Sequence, residues 1–255
     1  MLGAIIGDIV GSLHEGSPSR GRHFTLFTPR SCFTDDTVLS IAVAHALRTG
    51  TAYDTALRYW ARRYPTAGYG AGFSRWAGQD DAGPYNSFGN GSAMRVAAVA
   101  WALDDLEAAI AAAIHLARSG AGKEQIATLM QQRFGYDCRI RLTELEERGG
   151  FDATCQGTVP AAIAAFLHAK DFEEAVRIAV SLGGDTDTLA CIAGAIAEAH
   201  FGIPAPLQAE ALRRLDAPLR EELRLFVLHY ELEHLTAALS GPDTPKMYRI
   251  SGGPE

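Results

Sequence analysis

The chain has 255 residues, 47% of them apolar, and a formal net charge of −7. That length fits one large domain or two small ones, with ample apolar content for a core. The basic residues are scattered singly rather than gathered into a patch, which argues against a nucleic-acid partner.

No apolar stretch reaches the length that spans a bilayer, so no membrane partner is expected. The start, Met1-Leu-Gly-Ala-Ile-Ile-Gly-Asp8, lacks a basic leader region, and Asp8 interrupts its apolar run. A secretory signal is therefore not expected. Cys32, Cys138, Cys155 and Cys191 lie far apart without a CxxC pair. Free thiols in a reducing cytoplasm fit that spacing better than zinc or a disulfide framework.

Residues 3–13 read as a short buried helix with Gly3, Gly7 and Gly11 along one face. Four-residue spacing of glycines lets another backbone approach closely. Glu15 leaves this helix and is a candidate ligand or base; its bland reading is a solvated helix-end carboxylate. Residues 16–32 read as loop, and 37–48 and 53–63 as two helices by apolar period. A long connection, 64–91, is rich in Gly, Pro and aromatic residues; loops of that length are functional or disordered, and the aromatic content argues against disorder.

It closes in Asn86-Ser-Phe-Gly-Asn-Gly-Ser-Ala-Met-Arg95 and runs into an alanine-rich helix. Polar, Gly-flanked residues ahead of a helix form a plausible phosphate cradle. Helices are then expected over 104–118, 123–133, 158–169, 171–181, 188–201, 205–214 and 217–239. Pro160 is expected in the first turn of its helix, where its missing N–H costs nothing. No stretch shows strict period-two alternation, so the class is all-α: a single domain over 1–240 with a loosely packed tail, 241–255. His229 and His234, five residues apart on one helix, would point about 140° apart. They read as packing or surface residues rather than ligands, as do His45, His115, His168 and His200.

Two stretches carry the chemistry. Ser181-Leu-Gly-Gly-Asp-Thr-Asp-Thr-Leu-Ala190 places Asp185, Asp187 and Thr188 after two glycines and ahead of an apolar helical run. Helix capping is the bland reading, but one cap needs one side chain and four oxygen-bearing residues stand in a row. On extended backbone, Asp185 and Asp187 would point to the same side. Far upstream, Phe33-Thr-Asp-Asp-Thr-Val38 repeats the pattern with Thr34, Asp35 and Asp36 at the mouth of another helix. Four carboxylates brought together without cations repel, and their pKa values rise. An oxygen-only ligand set selects Mg²⁺, Mn²⁺ or Ca²⁺. An EF-hand loop starting at Asp185 would need Gly and Glu where Ala190 and Ile196 stand, and an Asp-rich terpenoid-synthase motif would need an acid at Leu39.

The paired Thr-Asp-Asp and Gly-Gly-Asp-Thr-Asp-Thr, with Gly-Asn-Gly-Ser-Ala-Met-Arg between them, resemble the ADP-ribosylglycohydrolase family over roughly residues 1–235. Leu2–Ser12, Cys155-Gln-Gly-Thr-Val-Pro160 and Leu189-Ala-Cys-Ile-Ala-Gly194 support the resemblance. It implies a compact all-α bundle with a cleft holding two Mg²⁺ (or Mn²⁺) ions. Thr34, Asp35, Asp36, Asp185, Asp187 and Thr188 are the implied ligands, with Asp187 bridging. Glu15, Asp35 and Asp36 are the implied catalytic residues. Ser87 and Phe88 match the positions that hold phosphates and stack adenine, and Asn90, Gly91, Ser92, Met94, Gly183 and Gly184 those that line an ADP-ribose cleft.

The implied reaction is hydrolysis of the bond between ADP-ribose and a modified protein side chain or small molecule. Metals there grip the ribose hydroxyls and activate water, and Glu15 or Asp35 takes its proton. The chain departs from the family in one respect. No Thr-His-x-x-Pro segment stands between Trp101-Ala-Leu-Asp-Asp-Leu-Glu107 and Ile114-His-Leu-Ala-Arg-Ser119. A weakly active or inactive, ADP-ribose-binding or structural relative is therefore the competing expectation.

Overall fold

The computed structural model describes residues 1–17, 21–103 and 107–239. The expected tail, 241–255, lies outside the described residues, as do 104–106 of the helix expected over 104–118. Within the described residues every regular element is a helix, α1 (Leu2–Gly11) to α15 (Glu233–Leu239), with one isolated bridge between Gly89 and Thr154.

Two helices form the centre. All ten residues of α1 are buried, and so are residues 186–198 of α12 (Thr186–Phe201). A helix that is buried all round belongs at the core of a protein. α12 packs on α1, α7 (Ala109–Arg118), α10 (Cys155–His168) and α11 (Phe172–Ser181), while α2 (Asp35–Thr49) packs on α3 (Tyr53–Arg63), α6 (Ala97–Ala102) and α14 (Ala217–His229).

The glycine stripe of α1 is the seam with α12. A Cβ on Gly3 would stand 2.3 Å from the Gly194 carbonyl oxygen. On Gly7 it would stand 1.9 Å from that of Ala190, and on Gly11 2.4 Å from that of Thr186. The two backbones therefore touch along three turns, as the glycine spacing predicts. Thr186 Oγ1 closes the end of the seam by donating to the Gly11 carbonyl at 2.9 Å.

Several elements differ from the sequence expectation. The helix expected over 217–239 breaks: α14 ends at His229, Glu231 takes φ +53, and α15 starts at Glu233. The Leu232 amide bonds back to the Val227 carbonyl at 2.9 Å, closing the end of α14 where the apolar period still continues. Helix α10 begins at Cys155, capped by Thr154, so Pro160 sits inside it rather than in its first turn. The connection 64–91 contains α4 (Ala71–Ala77), and α9 (Leu142–Arg148) lies in a stretch without a clear period.

The seam generates a quantitative expectation. Gly7→Ala forces a methyl onto backbone, the kind of overpacking that costs about 3 kcal/mol and lowers Tm by roughly 6–12 °C in a chain of this size. Gly21→Ala, where a Cβ meets nothing within 4 Å, stays within about 0.5 kcal/mol of wild type. Thermal denaturation of the two variants side by side checks this, and equal melting temperatures would count against the seam.

Candidate metal centre and its cleft

The close approach of α1 and α12 brings three remote stretches to one place. Just beyond the C-terminal end of α1, the Gly16 amide donates to the Gly184 carbonyl at 2.7 Å, and the Gly184 amide to the Ser17 carbonyl at 2.9 Å. Gly183 and Gly184 adopt φ +77 and +72, a region open to glycine at little cost. A Cβ at Gly184 would also strike the Gly150 carbonyl oxygen at 2.5 Å. These two glycines are buried behind the turn and shape it; they are not among the residues that face the cleft.

The turn sets Asp185 at the N-cap of α12, where its side chain makes no capping hydrogen bond. Asp185 has φ −83 and ψ 68, and Asp187 already lies inside the helix. The two carboxylates thus converge through a helical first turn rather than along extended backbone. One carboxylate oxygen each from Glu15, Asp185 and Asp187 lies within 4.8 Å of the others. Glu15 is exposed at this point, whereas Asp185 and Asp187 are buried.

The second acidic stretch reaches the same point through a residue that the sequence reading did not single out. Asp8, on α1, is fully buried. Its carboxylate accepts from the Thr34 amide at 2.9 Å, Thr34 Oγ1 at 2.7 Å, the Thr37 amide at 3.0 Å and Thr37 Oγ1. Asp8 thereby fixes the start of α2 against α1. Thr34 Oγ1 also faces Asp187 Oδ2 at 3.4 Å, and Thr188 Oγ1 donates to Asp36 Oδ1 at 3.4 Å. Thr34, Asp36, Asp187 and Thr188 therefore form one polar cluster across the α2–α12 junction.

The electrostatics are those of anions with too little water. Burial, contact with Asp185 and the charge of Asp8 push Asp187 up to about 9. Burial and Asp8 push Asp35 up to about 7. Burial and Asp187 hold Asp36 well above the usual carboxylate range. Partial loss of water, then Asp185 and Asp8, raise Glu15. Among the described residues no Lys or Arg forms an ion pair with any of these carboxylates. Asp36 Oδ2 is buried with no hydrogen-bond partner.

An orphaned carboxylate oxygen among hard oxygen donors, with no Lys or Arg ion-paired to them among the described residues, is a set that fits divalent metal. The alternative, five crowded acids held as protonated neighbours, leaves that oxygen without a partner.

The cluster floors a cleft of about 800 Å³, within the usual range for ligand pockets. Asp35, Asp36, Asp185, Asp187, Thr188 and Glu15 line it at the acidic end. Ser87, Asn90, Gly91, Ser92 and Met94 line it from the loop that ends in α5 (Gly91–Met94). Asn90 is buried, and its amide Nδ2 donates to Asp185 Oδ2 at 2.7 Å and to Thr158 Oγ1 at 2.9 Å. It orients a carboxylate of the cluster in addition to lining the cleft. Phe88 is 83% exposed and does not line the cleft in this structure.

The phosphate cradle expected at residues 86–95 needs one correction. The helix behind it, α5, is a single turn that stops before Arg95, and α6 starts afresh at Ala97. A four-residue turn carries little aligned dipole.

Phe73, Trp76 and Tyr85, from the long aromatic connection, complete the cleft. Arg58 holds that connection in place: its guanidinium lies 4.0 Å over Trp76 and donates to the Gln79 and Ala82 carbonyls and to Asp54. No residue from 96 to 150 lines the cleft among the described residues, and His115 sits on α7 away from it.

The raised carboxyls make stability depend on pH. An acid whose folded pKa lies above its unfolded value stabilises the fold below the unfolded pKa, and that contribution is lost as pH rises through the folded one. For Asp35 and Asp187 the window runs from the ordinary 3.8 to about 7 and about 9 respectively. Metal-free protein should lose Tm as pH is raised across that window, and added Mg²⁺ should recover more Tm at its upper than its lower end. Differential scanning calorimetry with chelator and with Mg²⁺ checks both; a flat, metal-insensitive Tm would show that the acids do not converge.

The sequence profile of the ADP-ribosylglycohydrolase family matches residues 1–130 and, in a second match, 108–241. The ADP-ribosylhydrolase ARH3 of Bos taurus is 25% identical, covering 80% of this chain and 84% of its own length. The Homo sapiens ARH3 gives the same identity and coverage. These alignments run over 306 positions, longer than the 255 residues here, so the relatives carry extra segments between shared stretches. A solved structure described as an ADP-ribosylglycohydrolase-related protein complex superposes with a TM-score of 0.64 at 26% identity, covering 91% of this chain and 96% of that one. Matched over nearly its whole length in sequence and in an all-α fold, the chain belongs to the ADP-ribosylglycohydrolase family and is a glycohydrolase enzyme.

Proposed function

We propose that this chain hydrolyses the glycosidic bond between ADP-ribose and a modified protein side chain or small molecule, with two Mg²⁺ (or Mn²⁺) ions. The observation that carries the reading is the convergence of Glu15, Asp185 and Asp187 about one point of the cleft, with Asp36 bonded to Thr188 beside them and its Oδ2 oxygen left unpartnered. Thr34, Asp35, Asp36, Asp185, Asp187 and Thr188 would hold the ions. Bound there, divalent cations neutralise the acids and act as Lewis acids towards ribose hydroxyls and water.

The remaining tasks fall to the chain itself. Asn90 keeps the Asp185 carboxylate turned into the cluster, and Asp8 keeps Thr34 at the entry of α2. Glu15, exposed beside Asp185 and Asp187, and Asp35, half-buried against Gly68, stand on the cleft side as acceptors for the proton of the attacking water. Ser87, Gly91, Ser92 and Met94 bound the space for the nucleotide portion, and Phe88 is poised at the exposed loop to cover an adenine.

A second reading, a relative that binds ADP-ribose with weak or no turnover, is favoured by one observation. Among the described residues none of 96–150 lines the cleft, where the family's histidine segment is lacking. Release of free ADP-ribose from a mixed panel of modified proteins and small molecules separates the two: turnover supports the hydrolase, and binding without release supports the second reading.

Asp187 is expected to be the most sensitive position, because it touches both halves of the cluster. Asp187→Asn should abolish turnover and at least one metal site while the fold persists, since removing a charge relieves repulsion. Glu15→Gln should keep metal binding and lower kcat by about 10²–10⁴-fold if Glu15 is the base. Mn²⁺ titration and timed ADP-ribose release on the same preparations check both. Wild-type turnover by Asp187→Asn would reduce that residue to a helix-end acid and overturn the reading.

A further inference from the structure

Six carboxylates line the cleft, from Glu15, Asp35, Asp36, Asp54, Asp185 and Asp187, against one cationic side chain, Arg95. Of these acids Asp54 is already paired with Arg58, at 3.1 Å. Arg95 differs from the arginines of α3 that hold the aromatic connection in place. Arg58 and Arg62 donate to loop carbonyls and to acids. Arg95, half-buried, makes no hydrogen bond or ion pair with another described residue. Its guanidinium carbon lies 5.9 Å from the centre of the Phe73 ring, and Nη1 stands 3.7 Å from where a Cβ of Gly91 would be. The side chain is thus set between the Ser87–Met94 loop and the aromatic wall, with its fork of donors unused.

Five donors removed from much of their water and given no acceptor are costly unless a ligand supplies one. The place where they lie is the place where the loop needs charge. α5 is one turn long and brings little dipole, and the loop side chains that face the cleft, Ser87 and Ser92, are neutral. A planar guanidinium matches two oxygens of a phosphate at once, which an ammonium does not. The ring of Phe73 beneath it supplies a face that holds a cation without competing for its N–H groups.

We propose that Arg95 binds the diphosphate of the substrate, with Phe73 fixing its orientation. This rests on the reading of the cleft as an ADP-ribose site and adds to it the residue that recognises the anion.

The test is calorimetric titration of ADP-ribose and of adenosine into wild type, Arg95→Gln and Arg95→Lys at saturating Mg²⁺, with Mn²⁺ affinity measured separately. Arg95→Gln should weaken ADP-ribose by about 10- to 100-fold, the loss expected of a charge-assisted hydrogen-bonded pair. It should leave adenosine and Mn²⁺ affinities unchanged, and Arg95→Lys, which keeps the charge without the fork, should fall between. Unchanged ADP-ribose affinity in Arg95→Gln would overturn the proposal. So would an equal loss for ADP-ribose and adenosine, which marks a merely structural residue. A fall in Mn²⁺ affinity alone would assign Arg95 to balancing the acidic floor instead. Wild type that binds Mn²⁺ but not ADP-ribose would refute the functional reading itself, and this proposal with it.

Discussion

The contact between α1 and α12 is the constraint on which the rest depends. Three glycines at four-residue spacing let the backbone of α1 lie against the carbonyls of Thr186, Ala190 and Gly194. Side chains at those positions would strike that backbone and hold the helices apart. Because the seam runs to the start of α12, the segment leaving α1 is delivered beside the Gly183–Gly184 turn. Glu15 meets Asp185 and Asp187 there. The same helix carries Asp8, which gathers Thr34 and Thr37. One helix thus positions both acidic stretches.

Assembling those acids is unfavourable in itself. Asp35, Asp36 and Asp187 are raised in pKa first by burial and then by neighbouring carboxylates. The rest of the fold tolerates it because α1 and α12 are buried along their lengths. A local electrostatic cost is thereby set against a large apolar contact. Such stored strain at a cleft is typical of functional sites, where perturbed carboxyls cluster. Divalent cations bound there, as proposed, would remove the repulsion and give a partner to the second oxygen of Asp36.

Much of this was legible in the residues. The glycine spacing announced a close backbone contact, and Thr-Asp-Asp with Gly-Gly-Asp-Thr-Asp-Thr announced oxygen donors at two helix starts. Each is a local pattern with a local physical cause. What the sequence did not show depends on pairing across long separations. Asp8 reads as an interruption of an apolar run until α2 is placed beside it, 26 residues away. Asn90, expected to line the cleft, gives no sign that it also holds a carboxylate until Asp185, 95 residues on, supplies its acceptor. The break at Glu231 escaped because the apolar period runs through it, and α4 and α9 because short helices leave little periodicity to detect.

The central claim is that the two acidic stretches share metal ions. Anomalous diffraction from crystals soaked in Mn²⁺ tests it most directly. The account predicts two peaks a few ångströms apart, as paired catalytic metals are, between Thr34–Asp36 and Asp185–Thr188, with Asp187 touching both. Zinc at these residues, a single peak bound by one stretch alone, or no peak at all, would contradict it.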